Sequence, residues 1–193
     1  MKHGRLLIIF VVIAGVVGLE QNINAQSRSS ERITGTMVGI SGRSAGRTRP
    51  FTLLVNSFAS GAQIQELNEA RQQSEDALLR TLSHMNAGRI QVGTGIGVTA
   101  NAIISTPWEN GTKITVLYER NVNFYELRYG SRSADYRFGY AELFLDRNGK
   151  GEGTFIPAAH INLKDGNTWE VEDFGVFPAR LIGLRGSGQV VTR

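Results

Sequence analysis

Residues 112–163 alternate apolar and polar side chains, which is the period of a pleated strand with one buried face. Aromatic and β-branched residues recur at every second position in four segments, 112–120, 122–129, 136–145 and 153–163. Asn110-Gly111 precedes the first segment, and Asn148-Gly149 separates the last two. Both dipeptides favour the tight turns of β-hairpins, because asparagine and glycine tolerate positive φ. This stretch therefore predicts an antiparallel sheet on which the rest of the chain packs or which it extends.

The flanking sequence predicts further strands and a single helical region. Strands are expected over residues 32–41, 51–58, 89–92, 96–105, 169–174 and 179–185, with a turn at 107–111. Residues 61–87 carry apolar side chains at helical spacing behind a capping box of Ser60 and Gln63, and Gly88 is placed to end the helix in a left-handed conformation. The apolar stripe is interrupted near Ser74, which leaves open whether there is one helix or two.

These elements predict a mainly β, α+β fold, either an antiparallel β-sandwich or a barrel-like sheet, with one inserted helical region. Helices and strands do not alternate along the chain, which argues against a parallel βαβ architecture. The expected organisation is a mobile lead-in at residues 26–31, a single β-rich domain at 32–185 and a flexible tail at 186–193.

Residues 1–25 have the layout of a secretory signal peptide. Lys2 and Arg5 form a basic start, residues 6–19 are apolar or small, and a polar segment ends at Ala25. The apolar run is short against the ~20 residues that span a bilayer, which favours cleavage after Ala25 over retention as an anchor. The sequence therefore predicts an exported protein, periplasmic or extracellular, with membrane contact only through the signal segment before cleavage.

Composition narrows the functional classes. The chain has no cysteine, which excludes disulfides, thiol chemistry and cysteine-ligated zinc. The net charge of +4 is mild, and the arginines do not form the dense basic stripe or known module of a nucleic-acid-binding protein. The prediction is a protein without a cofactor, without a metal site and without a nucleic-acid partner.

Two motifs match catalytic or metal-binding patterns, but the sequence around them does not favour those functions. Ser44 lies in Gly42-Arg-Ser-Ala-Gly46, the G-x-S-x-G pattern of serine hydrolases, but an arginine-rich loop and a strand follow where that fold needs a helix. Asp146, Asn148 and Gly151 match positions of a calcium loop, yet Lys150 occupies a ligand position. A loop is therefore preferred for the first motif and a hairpin turn for the second.

Carboxylates on the central strands are further catalytic candidates. Glu126 and Glu142 lie among aromatic residues, where carboxylates grip sugars or act as general acids. Cross-strand ion pairs with Arg128 or Arg137 explain both residues more simply. No catalytic residue is assigned, and Ser44, Glu126 and Glu142 remain as candidates.

Aromatic and arginine side chains share a face with Glu142 on the central strands. This face is the predicted binding surface, and its members are Phe124, Arg128, Tyr136, Phe138 and Tyr140. The leading hypothesis is a non-enzymatic binding or envelope-associated module whose partner is a small molecule, a glycan or an envelope protein. The alternatives are a hydrolase acting on glycan or ester substrates, and an assembly protein that pairs through an exposed sheet edge.

Several strand and turn motifs resemble those of a family of exported bacterial proteins without an assigned activity. The motifs are Asp135-Tyr-Arg-Phe-Gly139, Glu142-Leu-Phe-Leu-Asp146, Gly149-Lys-Gly-Glu-Gly153 and Pro157-Ala-Ala159. The resemblance extends to the end of the helical segment at Gly88-Arg-Ile90 and to the later strands, so it covers most of residues 26–193. It implies a bacterial exported protein and carries no catalytic residue across.

Overall fold

The chain forms a single antiparallel sheet flanked by helices in a computed structural model that describes residues 30–40, 45–109, 111–120, 136–164, 168–173 and 179–187. Within these ranges the elements are β1 (Glu31–Gly39), β2 (Thr48–Val55), α1 (Gly61–Gln73), α2 (Glu75–Ser83), β3 (Gly88–Val92), β4 (Val98–Ala100), β5 (Ala102–Trp108), β6 (Gly111–Glu119), β7 (Phe138–Asp146), β8 (Lys150–Lys164), β9 (Thr168–Asp173) and β10 (Ala179–Ser187). The predicted mainly β fold with an inserted helical region is confirmed, and its sheet is barrel-like.

The sheet is nearly closed because its two terminal strands are consecutive in the chain. The strand order is β4-β3-β2-β1-β10-β8-β7-β6-β5, with β9 added to the free part of β8. β4 pairs with β3 at one end of this order, and β5 pairs with β6 at the other. Only Asn101 separates β4 from β5, so one continuous run of chain changes partner at this residue and brings the ends of the sheet together.

The buried side chain of Asn101 fixes this corner. Its Nδ2 donates to the carbonyl oxygens of Leu82 at 2.9 Å, in the last turn of α2, and of Met85 at 3.2 Å, just beyond the helix. Its Oδ1 accepts from the backbone N–H of Glu119 at 2.9 Å, at the end of β6. One side chain therefore joins the helices, the corner and the neighbouring strand, and supplies hydrogen-bond partners to backbone groups of both the helical region and β6.

The interior of the barrel is filled with side chains. Every strand of the path from β4 round to β5 contributes buried apolar residues, and the rings of Phe51 and Phe155 meet edge to face with centroids 6.4 Å apart. The largest fully buried members of this inner cluster are Phe51, Ile33, Leu53, Ile103, Ile114, Leu143 and Leu145. Every second residue of these strands thus points into the barrel, as the alternation in the sequence predicted.

A second core lies between the helices and the outer face of β5 to β8. Leu67 of α1 and Leu78 and Leu82 of α2 are fully buried there against residues of all four strands. The strand residues are Ala102, Leu117, Phe138, Tyr140, Ile156, Ala159 and Ile161. Part of the sheet is therefore buried on both faces.

The helical region contains two helices within the described residues. The predicted capping box is confirmed, because Ser60 Oγ accepts from the amide of Gln63 and Gln63 Oε1 accepts from the amide of Ser60. Ser74 has an extended backbone between the helices, and its Oγ accepts from the amide of Ala77 at 3.0 Å. The serine thus ends α1 and caps α2, which resolves the alternative between one helix and two.

The prediction for Gly88 was wrong. The second helix ends at Ser83, and Gly88 begins β3 opposite Val55 instead of capping the helix. A Cβ at Gly88 would lie 2.0 Å from the carbonyl oxygen of Leu54, so the glycine is needed for close approach of two strands.

The prediction of a turn over residues 107–111 was too long. Pro107 and Trp108 belong to β5, and Gly111 begins β6. Proline is tolerated in β5 because this strand pairs with β6 on one side only among the described residues. The Asn148-Gly149 turn is confirmed, with φ of 71° at Gly149. The predicted strand at 122–129 lies outside the described residues, as do the signal segment and most of the predicted tail.

We expect Asn101→Ala to lower the free energy of unfolding by about 2–4 kcal/mol, since it removes two donors and leaves the Glu119 amide without its acceptor. Asn101→Asp places a buried carboxylate against the two carbonyl oxygens, so its loss should be at least as large. Urea unfolding midpoints measure both changes. The control is Thr99→Ala, at an exposed site on β4, with an expected change below about 0.5 kcal/mol. Equal losses at both positions would contradict the role given to Asn101.

Candidate functional site

An open groove of about 530 Å³ lies where the β5–β6 and β7–β8 hairpins turn. Its lining residues are Trp108, Glu109, Gly111, Phe144, Asp146, Lys150, Gly151 and Glu152. They come from four neighbouring strands and the turns between them. The barrel interior is filled and the helices cover part of the outer sheet, so this open groove is a candidate ligand site in the described part of the chain.

Local backbone geometry opens space in the groove. Gly111 pairs with Trp108 on one side and with Asp146 on the other. A Cβ at Gly111 would lie 1.9 Å from the carbonyl oxygen of Leu145, so only glycine allows β6 and β7 to approach this closely. Glu109, in the turn before β6, has a φ of 40°, which is unusual for a residue other than glycine.

Two aromatic rings form the apolar part of the groove. Trp108 on β5 and Phe144 on β7 have ring centroids 4.7 Å apart at an interplanar angle of 57°. Because β6 lies between these strands, the rings meet across it beside Gly111, which has no side chain. Trp108 remains 41% exposed, which leaves part of a large apolar ring open to solvent.

The polar part of the groove has an acidic balance. Glu109, Asp146 and Glu152 contribute carboxylates, and Lys150 is the cation among the lining residues. Glu152 also pairs with Arg180 at 3.1 Å outside the groove. The site therefore offers more hydrogen-bond acceptors and negative charge than donors, which disfavours an anionic ligand.

The carboxylate of Asp146 organises the hairpin turn. Its Oδ1 accepts from the amides of Lys150 at 2.9 Å and Asn148 at 2.8 Å. The hydrogen bond from Lys150 lowers the pKa of Asp146 most, and the one from Asn148 adds to it. This carboxyl group therefore stays ionised, and it serves the turn that the sequence predicted here.

Glu142, a candidate catalytic residue, lies half-buried on the outer sheet face between the groove and the helix-covered core. Its Oε1 is 2.9 Å from Lys113 Nζ, so an ion pair forms with a lysine instead of the predicted arginine. Burial raises the pKa of Tyr140, and a hydrogen bond to Glu142 raises it further. Arg137, one of the predicted partners, pairs with Asp76 of α2.

The predicted binding residues fall into different environments. Phe138 and Tyr140 are buried under the helices, so they are core residues in this structure and do not form an open face. Tyr136 is half-buried, with its ring centroid 6.3 Å from that of His160. The other predicted site residues lie outside the described residues; they are Ser44, Phe124, Glu126 and Arg128.

The groove residues Trp108 and Glu109 were missed in the sequence. Both fell within the predicted turn, and the alternation rule gives no weight to a tryptophan at a strand end. The sequence does carry one indication of the groove. A tryptophan next to a tight turn lies opposite a glycine, which has no side chain to cover the ring.

No family model matches the chain, and neither a curated protein nor a solved structure is significantly similar to it. No helix in the described ranges has the length and apolarity needed to cross a membrane.

The groove is chemically suited to binding. Its described lining contains no serine, cysteine or histidine to act as nucleophile or base. The pKa of Asp146 is lowered by the turn amides, so this carboxyl group is unsuited to the role of general acid in a glycosidase. A flat aromatic surface beside several acceptors instead suits a ligand that has an apolar face and hydrogen-bond donors.

We expect the pKa of Asp146 to lie below the usual aspartate range, so its contribution to the turn is present at neutral pH and is lost as the pH falls through this lowered pKa. NMR titration of the Asp146 carboxyl carbon and of the Asn148 and Lys150 amides measures it. The two amide signals should move together with the carboxyl group. In Asp146→Asn the acid-dependent shift of both amides should disappear, and amides that titrate unchanged in this variant would contradict the assignment.

Proposed function

We propose that this chain is an exported bacterial binding module, without enzymatic activity, that holds a glycan in the groove between Trp108 and Glu152. The observation that carries the proposal is the exposed ring of Trp108 packed against Phe144 beside three carboxylates.

A sugar ring matches the groove in shape and in hydrogen bonding. Its axial C–H groups form an apolar face that packs on an aromatic ring, and its hydroxyls donate to carboxylates at the rim. Glu109 and Glu152 supply such acceptors, and Lys150 supplies a donor for a ring or hydroxyl oxygen. A neutral or amine-bearing glycan therefore fits better than a sulfated or phosphorylated one, because the carboxylates repel anions.

Export is supported by the pattern of residues 1–25 and by the resemblance to exported bacterial proteins. A periplasmic or extracellular location would place the groove where envelope or environmental glycans are present. The absence of cysteine is compatible with that location, since the described core is held by apolar packing.

Expression of the full chain in a bacterium tests export directly. We expect the protein in the periplasmic or culture fraction to begin at Gln26, because the polar segment after the apolar run ends at Ala25. Intact mass and N-terminal sequencing measure this. A charged replacement within the apolar run, Val12→Arg, should keep the protein in the cell at full length. Recovery of the uncleaved chain in the cell interior for both forms would contradict the proposal.

We expect the chain from Gln26, which retains both core clusters, to bind members of a panel of neutral and amino glycans, with Trp108 as the reporter. A Trp169→Phe background leaves Trp108 as the sole tryptophan of the two in the chain, so its fluorescence reports the groove. Trp108→Ala should weaken binding at least ~tenfold in calorimetry, because a central aromatic anchor is lost.

Ile182→Ala is the matched control, since Ile182 is as exposed as Trp108 but lies on β10 outside the groove. Its affinity should stay within about twofold of the parent. A glycan that binds equally well to the Trp108→Ala protein would contradict the location of the site, and a panel without any ligand would contradict the ligand class.

A further inference from the structure

Two hairpins lie side by side at the end of the barrel opposite the groove. β1 leads into β2 at this end, and β3 leads into β4 beside it, because β2 begins where β3 ends. Phe51 pairs with Val92, and the amide of Gly93 donates to the carbonyl oxygen of Pro50 at 2.8 Å. The run from Val98 to Trp108 then crosses the length of the barrel, which places the groove at the far end.

Aliphatic side chains project from these hairpins into solvent. Ile96, in the β3–β4 turn, is 85% exposed, and Ile40, directly after β1, is 52% exposed. Val98 at the start of β4 is exposed as well. Such a concentration of exposed aliphatic residues at one end marks a surface that meets an apolar phase or partner.

The β3–β4 turn holds Ile96 outward in a defined shape. Arg89 Nη1 donates to the carbonyl oxygen of Ile96 at 3.1 Å, and Gln91 Nε2 donates to that of Gly95 at 2.6 Å. Gly97 has a φ of 82°, and a Cβ there would lie 2.6 Å from the carbonyl oxygen of Ile90. The turn thus fixes the exposed position of Ile96, because side chains of β3 hydrogen-bond to the backbone of the turn.

The two hairpins are basic. Arg47, Arg49 and Arg89 are exposed on the two hairpins, and the side chain of Arg49 reaches Gly93. The sequence has no aspartate or glutamate in residues 32–65 or 77–108, which include both hairpins. The exposed arginines and isoleucines thus lie on hairpins without carboxylates, whereas the groove at the other end has an acidic lining.

We propose that Ile40, Ile96 and the exposed arginines beside them on the two hairpins form a docking surface for an anionic lipid membrane. Ile96 and Ile40 enter the boundary between headgroups and acyl chains, and Arg47, Arg49 and Arg89 bind lipid phosphates. A lipid surface is favoured over an acidic protein because the isoleucines project from separate turns, and a fluid bilayer accommodates both without a matching pocket. The sequence predicted membrane contact only through the signal segment, so this surface is an addition to that prediction.

Co-sedimentation of the chain from Gln26 with vesicles tests the proposal, because this chain lacks the apolar N-terminal run. Vesicles of equal parts phosphatidylglycerol and phosphatidylcholine should bind the protein, and vesicles of phosphatidylcholine alone should not. Raising the salt to about 1 M, where the Debye length is roughly 3 Å, should release most of the protein.

Variants distinguish insertion of the isoleucines into the membrane from electrostatic attraction alone. Ile96→Ser should lower the partition coefficient roughly tenfold, since a buried aliphatic side chain is lost. Arg49→Gln should lower it roughly fivefold. The matched controls are Ile182→Ser and Arg185→Gln, which change an exposed isoleucine and an exposed arginine of β10 away from the hairpins, and both should bind like the parent.

Three results would overturn the proposal. The first is a parent protein that does not bind the anionic vesicles at low salt. The second is binding that falls with Arg49→Gln but not with Ile96→Ser, which would indicate electrostatic adsorption of the kind an acidic protein partner also exploits. The third is an equal loss in the hairpin variants and the β10 controls. Circular dichroism of each variant confirms that the exposed substitutions leave the fold intact.

Discussion

The fold depends on one continuous run of chain that supplies both β4, the first strand of the sheet order, and β5, the last. A flat sheet of this length would expose two edges, and edges invite pairing with other chains. Here β4 and β5 are halves of one run, and the change of partner at Asn101 brings the two ends of the sheet together. The Asn101 side chain accepts from the Glu119 amide of β6 and donates to the carbonyl oxygens of Leu82 and Met85 at the end of the helical region. Its contacts also hold the end of α2 against the barrel, so closure and helix docking depend on the same side chain.

Two further features protect the remaining edge of β5. The carbonyl oxygen of Ile103 accepts from the amide of Ala59, in the segment that leads to α1. Pro107 has no N–H to offer to an incoming strand. An added strand could therefore not use the Ile103 carbonyl or find an N–H at Pro107. The described part of β5 has no second ladder, so assembly through this edge stays a hypothesis.

The strands were predictable because alternation is a local property that one buried face imposes. The capping box at Ser60 and the turn at Asn148-Gly149 were predictable for the same reason, since each depends on residues a few positions apart. The burial of the outer sheet face under the helices was harder to predict. Phe138, Gly139, Tyr140 and Ala141 are buried in succession, and this loss of alternation signals burial on both faces, but it does not say what covers the second face. The corner at Asn101 and the pairing of Trp108 with Phe144 depend on contacts between distant parts of the chain, so no local pattern indicates them.

The same packing restricts where a ligand can bind. The inner face of the barrel is filled by one core, and the outer face of β5 to β8 is covered over much of its length by the helices. The aromatic residues that seemed available for binding are used for stability, because Phe138 and Tyr140 anchor that second core. The turns of the described chain offer further surfaces for recognition, because side chains there escape the pleat and glycines leave gaps. An antiparallel barrel gathers its turns at two ends, and the hairpins at one end differ from the groove at the other in charge and in exposed apolar residues. The two proposed sites share no residues, so their proposed ligands would not compete for the same side chains.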